Sequence, residues 1–156
     1  MIKAIIFDFS RVLLNAKDPN YPDSLNSLYK RVSQNKNFNS LEYFEFNKEL
    51  LDFVISIKDK YDLYIFTTGT IQNDIHLKSF IDHVFKKVFT VDEVGFSKNS
   101  KEAYEFIAKE ISFKPEEILF IDDTTENIQA AGEAGLKTIK FEKTEQVESD
   151  IKALGK

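Results

Sequence analysis

Four places along this chain set oxygen- or ammonium-bearing side chains just after short apolar runs. Asp8 comes at the end of the run 2–9, Thr67-Thr68-Gly69 after the run 63–66, and Asp122-Asp123 after the run 118–121. Lys98 falls in the loop after the run 84–91, just ahead of a helical pattern. In open α/β sheets, ligands gather at the carboxyl ends of the strands. If these runs are neighbouring strands, carboxylates, hydroxyls and one ammonium converge on a single patch. Clustered carboxylates repel unless a hard divalent cation neutralises them, and Mg2+ prefers oxygen ligands of this kind. A carboxylate beside that cation can attack phosphorus and form an aspartyl phosphate. The Thr hydroxyls, the backbone N–H groups around Gly69 and the Lys98 ammonium can balance charge on the phosphoryl oxygens. The chemistry that suits this set is phosphoryl transfer.

Such a patch needs elements to hold it. The four runs, and a weaker fifth at 138–141, are mostly continuous rather than alternating, which suits strands covered on both faces, as in a parallel sheet. Helical periodicity lies between them. Leu50, Leu51, Val54 and Ile57 follow a cap at Asn47, and Ala103, Phe106, Ile107 and Ile111 follow a cap at Ser100. Asp123 and Glu126 form a capping-box-like pair ahead of a helix that stops at Gly135. Val147, Ile151 and Leu154 mark a last, weaker helix. Strands alternating with helices imply right-handed crossovers and a doubly wound, three-layer Rossmann-like α/β fold over residues 1–156.

Residues 16–46 break the alternation. They are polar, contain Pro19 and Pro22, and carry two short apolar patterns: Leu25, Leu28, Tyr29 and Val32, then Leu41 and Phe44 after Ser40. A structureless loop of this length is uncommon in a compact domain. The expectation is a small helical cap insertion over the mouth of the sheet.

Composition narrows the function classes. With 42% hydrophobic and 30% charged residues the chain reads as one soluble globular domain, and the fifteen Phe without Trp assign aromatic packing to Phe and Tyr. A net charge of −5 with scattered Lys and Arg argues against nucleic acid and gives no reason to expect a membrane partner. The absence of Cys excludes disulfides and thiolate chemistry. No signal-peptide pattern or membrane-length apolar stretch is evident, so the expected location is cytoplasmic.

The ordered set also resembles a known family. AIIFDFSRVLL (4–14) is similar to the first motif of the haloacid dehalogenase-like hydrolase superfamily, a strand ending in Asp-x-Asp. LYIFTTG resembles the second motif, VDEVGFSKNSKEAYEFIAKE the segment with the third-motif lysine, and EEILFIDDTTENIQAAGEAGLKTIKF the fourth, acidic motif. The resemblance covers nearly the whole chain except residues 16–46. It implies a Mg2+-dependent phosphatase acting on a small phosphorylated substrate. Asp8 would be nucleophile and metal ligand, and Ser10 would lend its main-chain carbonyl to the metal. Thr67 and Lys98 would hold the phosphoryl group, with backbone at Thr68 and Gly69 assisting. Asp122 and Asp123 would bind Mg2+, and Asn127 would support the acidic loop or the lysine. Receiver domains use similar residues, but there the acidic pair comes first and the lysine last; the chain order here rejects them.

One position departs. The family's phosphatases usually carry a second Asp where this chain has Ser10, and that Asp serves as general acid and base. A serine cannot do this work near neutral pH, and such catalysis is worth about a hundred- to ten-thousandfold. Arg11 and Val12 also replace the usual Gly-Thr, and Asn99 the common Pro after the lysine. Three readings stay open: a slow phosphatase, a relative turned to another reaction, and a binding protein without turnover. A cap this small would leave the pocket more open, either to admit a macromolecular substrate or to be closed by a second subunit in a homodimer. His76 and His83 fit no motif and read as structural or solvent-facing; Arg11 reads equally as surface residue or anion contact.

Overall fold

The computed structural model describes residues 1–154; positions 155 and 156 of the expected domain lie outside the described residues. In chain order the elements are β1 (Ala4–Phe7), β2 (Leu14–Ala16), α1 (Leu25–Val32), β3 (Phe44–Phe46), α2 (Lys48–Ile57), β4 (Asp62–Thr67) and α3 (Ile75–Val84). There follow β5 (Lys87–Thr90), α4 (Val91–Val94), α5 (Lys101–Glu110), β6 (Ile118–Asp122), α6 (Thr125–Glu133), β7 (Lys137–Lys140) and α7 (Thr144–Leu154).

The main sheet is five-stranded and parallel, in the order β5-β4-β1-β6-β7. β1 takes the centre because all four of its side chains are apolar and demand cover on both faces. Alternate residues go to opposite layers. Ile5 and Phe7 pack with Leu50 and Val54 of α2, Leu77 and Ile81 of α3, and Val147 and Ile151 of α7. Ala4 and Ile6 pack with Ala103, Tyr104 and Ile107 of α5 and Ala130 and Ala131 of α6. Each fully buried Ile or Phe contributes about 1.5–3 kcal/mol. The result is the expected three-layer α/β architecture, with the acidic strand ends of β1 and β6 side by side: the Asp8 N–H, one residue past β1, still donates to the Ile121 carbonyl at 2.8 Å.

Residues 16–46 stand on a small antiparallel hairpin. Leu14 pairs with Phe46 and Ala16 with Phe44. The pattern at Leu25, Leu28 and Val32 does form a helix, α1, and its buried residues join the core beneath α2 and α3. The helix expected after Ser40 is not present: Ser40–Glu42 makes a single 3-10 turn and Phe44 lies in β3. The reason is visible in Phe44-Glu45-Phe46, whose alternation suits a strand, and two apolar residues three apart could not distinguish the two.

Three other expectations shift. The run 84–91 serves three elements: Val84 and Phe85 close the apolar face of α3, Lys87–Thr90 forms the strand, and Val91 opens α4. Asn47 caps α2 through Leu50 N–H as expected, whereas Ser100 stands at the N-cap of α5 with its hydroxyl turned to Glu102. The α6 cap position is Thr124, not Asp123, because the Thr124 N–H is taken by Asp122 at 2.8 Å. None of the helices among the described residues is long and apolar enough to cross a membrane.

Candidate active site

Three carboxylates meet where β1 and β6 end. One oxygen from each of Asp8, Asp122 and Asp123 lies within 4.8 Å of the others. Asp8 and Asp122 are buried and Asp123 is half-buried. Like charges so close and so dry need a counter-charge, and Lys98 supplies one. Its Nζ lies 2.6 Å from Asp8 Oδ1 and 2.6 Å from Asp122 Oδ2. The Lys98 side chain is itself buried, with its ammonium 5.6 Å from the Phe66 ring centre and 5.7 Å from that of Phe120. The site therefore holds three acids against one fixed cation.

Local structure explains how Lys98 gets there. α4 ends at Gly95, whose φ of +80° is a left-handed conformation that glycine adopts without strain. Beyond it, the Ser97 hydroxyl donates to Asn99 Oδ1 at 2.5 Å and the Ser100 N–H to the Ser97 carbonyl at 3.0 Å, so a hydrogen-bonded turn stands where a proline would have stiffened the chain. The buried Tyr104 hydroxyl donates to the Lys98 carbonyl at 2.5 Å. Tyr104 packs between Phe66 and Phe120 at ring separations of 5.8 and 4.9 Å.

The electrostatics follow. Burial pushes the Asp8 carboxyl up, Lys98 opposes this and Asp122 adds to it; the net effect is a rise to about 6. Burial weakens the Lys98 ammonium, yet Asp8 and Asp122 outweigh it and hold the lysine above its ordinary value. Asp123 is raised by burial and by Asp122. The Tyr104 phenol is pushed up by burial and then by the two aspartates, so it stays neutral and donates.

A cavity of about 310 Å³ opens over the cluster. Of the residues expected from the sequence, Asp8, Ser10, Thr67, Thr68, Lys98, Asp123 and Asn127 line it. Asp122 is wholly buried beneath, and Asn127 donates to its Oδ2 at 3.1 Å. Gly69 faces a neighbouring cavity of about 520 Å³ instead. What comes close to Gly69 is the Asn26 side chain of α1: a Cβ at residue 69 would lie 1.9 Å from its Oδ1. Asn26 Nδ2 also donates to Thr68 Oγ1 at 3.3 Å, so α1 touches the threonine loop directly. A larger cavity of about 670 Å³ lies at the opposite ends of the strands, around Ile2, Tyr61 and Phe113, away from this chemistry.

Sequence reasoning did not find Ser24, Leu25, Asn26 and Thr124, which complete the wall, and gave Arg11 no fixed role. Arg11 has φ +65°, a left-handed conformation costing a non-glycine residue roughly 1–2 kcal/mol. Its guanidinium donates to the carbonyls of Asp23 at 2.7 Å and Tyr21 at 3.2 Å, clasping the segment ahead of α1 to the loop after Asp8. A second clasp is the buried Asp74, the N-cap of α3. Its carboxylate accepts from Ser40 Oγ at 2.6 Å, Tyr29 OH at 3.2 Å and the His76 N–H at 3.0 Å, with His76 Nδ1 3.2 Å away. His76, expected to be structural or solvent-facing, is tied to this cap. The only advance signal for the cluster was an Asp ahead of an apolar helix pattern.

Comparison with known proteins supplies a family. A model described as haloacid dehalogenase-like hydrolase matches residues 43–135, a span that includes Thr67, Lys98, Asp122, Asp123 and Asn127 but not Asp8 or Ser10. Enolase-phosphatase E1 of Aquifex aeolicus is 41% identical over 83 residues, 50% of this chain and 36% of that protein; the chain thus spans about a third of the curated relatives of this kind. Among solved structures, a HAD-superfamily hydrolase from Ehrlichia chaffeensis aligns over all of both chains at 20% identity with a TM-score of 0.70. A HAD family enzyme from Bacteroides thetaiotaomicron, crystallised with magnesium and inorganic phosphate, covers 91% of this chain and 95% of its own at 16% identity, with a TM-score of 0.65. Both structures share the fold. On the family match, the chain belongs to the haloacid dehalogenase-like hydrolases.

Proposed function

We propose that the protein is a Mg2+-dependent phosphatase that acts on a small phosphorylated substrate through an aspartyl phosphate on Asp8. The observation that carries this reading is the convergence of Asp8, Asp122 and Asp123 within 4.8 Å around the buried Lys98. The donor set fits the metal: it is all oxygen, and three carboxylates exceed what one ammonium neutralises. Asp8, Asp123 and the Ser10 main-chain carbonyl would hold the ion, with Asp122 behind them. When bound, it would offset charge on the phosphoryl oxygens and leave the carboxylates ionised.

The chain's own groups have separate tasks. Asp8 Oδ1 is fixed by Lys98 Nζ and by the Phe9 N–H at 2.7 Å, which leaves Oδ2 to meet phosphorus. Thr67, Thr68 and Lys98 would take the phosphoryl oxygens as donors. Asn127 keeps Asp122 oriented. Residues 16–46 would act as a small cap within one domain, held by the Arg11 and Asp74 clasps. The test is hydrolysis of an aryl phosphate with Mg2+: activity is expected in the wild type and lost in Asp8→Asn. Activity that survives the substitution overturns the mechanism.

A second reading rests on Ser10, which stands where a general acid would be useful. On that reading the pocket binds phosphate and Mg2+ without turnover. Calorimetric binding of both, with no hydrolysis of any phosphate ester or phosphoanhydride, is the outcome that favours it.

A further inference from the structure

Among the described residues, the wall of the catalytic cavity contains no side chain free to hand a proton to a departing group. Its neutral polar members, among them Ser10, Ser24, Asn26, Thr68, Thr124 and Asn127, are hydroxyls and amides, which do not act as acids near neutral pH. The charged members are committed. Lys98 is locked between Asp8 and Asp122, and Asp123 belongs to the carboxylate cluster. Arg11 spends its guanidinium on the Tyr21 and Asp23 carbonyls and does not deprotonate in proteins. The insertion brings no replacement: its four acids, Asp18, Asp23, Glu42 and Glu45, all lie outside the wall.

We infer that this site selects phosphates whose leaving oxygen departs without taking a proton: acyl phosphates, phosphoanhydrides or enol phosphates, rather than esters of simple alcohols. The inference rests on the phosphatase reading above and deepens it. In the first step a carboxylate oxygen of Asp8 bonds to phosphorus while the bond from phosphorus to the leaving oxygen breaks. The electron pair stays on that oxygen, which leaves as a carboxylate, phosphate or enolate. In the second step water attacks the same phosphorus and the bond to Asp8 breaks. The carboxylate is regenerated, inorganic phosphate leaves and the proton passes to solvent. With the wall's carboxylates committed to the cluster around Lys98, none is free to assist that water, and the aspartyl phosphate accumulates during turnover.

Comparison of kcat/KM for acetyl phosphate, p-nitrophenyl phosphate, phenyl phosphate and glycerol phosphate, with Mg2+, tests this in the wild type and in Ser10→Asp. Because kcat/KM reports the steps up to leaving-group release, slow dephosphorylation does not mask the trend. The expected result is a fall of more than about a hundredfold from acetyl phosphate to glycerol phosphate in the wild type, the lower bound of what general acid catalysis supplies. The fall should be shallower in Ser10→Asp. Wild-type rates on glycerol phosphate within about tenfold of acetyl phosphate overturn the leaving-group selection and leave the phosphatase reading standing. No turnover of any of the four, with no phosphoryl group on Asp8, overturns both.

Discussion

Lys98 Nζ lies 2.6 Å from Asp8 Oδ1 although the two residues are 90 positions apart, and neither side chain is more than 11% exposed. The same ammonium lies 2.6 Å from Asp122. A buried ion pair of this kind says little about net stability while intact, but removing one partner strands the other charge. The lysine thus supplies the counter-charge that both buried carboxylates share.

Lys98→Met should make that dependence measurable. Without metal, the variant should lose about 3–5 kcal/mol of stability, because Asp8 and Asp122 remain buried without their cation. Millimolar Mg2+ should return part of the loss, since an ion in the cluster replaces the missing charge. Thermal melts with EDTA and with Mg2+ check this. Equal melting in wild type and variant, both with EDTA, would contradict the electrostatic role.

Gly69→Ala should uncouple α1 from the threonine loop. The new Cβ would fall 1.9 Å from Asn26 Oδ1 and 2.5 Å from its Cγ, so the whole amide must move away from Thr68. The expected outcome is a lower kcat/KM for Gly69→Ala that Asn26→Ala largely relieves. In a double-mutant cycle the coupling should exceed about 0.5 kcal/mol. Additive effects would show that the contact does not matter.

Much of this site was legible because strand ends can be read from apolar runs. Asp8 and Asp122-Asp123 follow continuous buried strands, and Thr67 closes another, so their convergence followed from the expectation of a parallel sheet. The groups that support them were not legible. Asp74 meets Ser40 and Tyr29 across 34 and 45 residues, and Asn26 meets Thr68 across 42, contacts set by packing rather than by any local period. Tyr104 falls outside the apolar pattern of Ala103, Phe106, Ile107 and Ile111, and only its buried hydroxyl's need for an acceptor singles it out. The hairpin of Leu14–Ala16 with Phe44–Phe46 was missed for a similar reason, since three-residue strands carry too little pattern to register.

The Asp74 clasp predicts a pH dependence. Burial pushes this carboxyl up, but hydrogen bonds from Ser40, from His76 and from Tyr29 outweigh it and hold it below its ordinary 3.8. A depressed native value means that the group stabilises the fold above the unfolded value and loses that contribution as pH falls through the native one. Asp74→Asn should therefore be less stable than wild type at neutral pH, by about 1–3 kcal/mol for a buried acceptor with several donors. The gap should close as the pH drops below 3.8. Melts of both proteins across that range check the sign, and a constant gap would contradict it.

Whether Asp8 accepts a phosphoryl group can be read by mass spectrometry of the protein. The wild type is mixed with acetyl phosphate and Mg2+, quenched in acid and mapped by peptide. A gain of one phosphoryl group is expected on the peptide containing Asp8, removed by hydroxylamine and absent in Asp8→Asn. A phosphoryl group on another residue, or turnover that proceeds in Asp8→Asn, would contradict it.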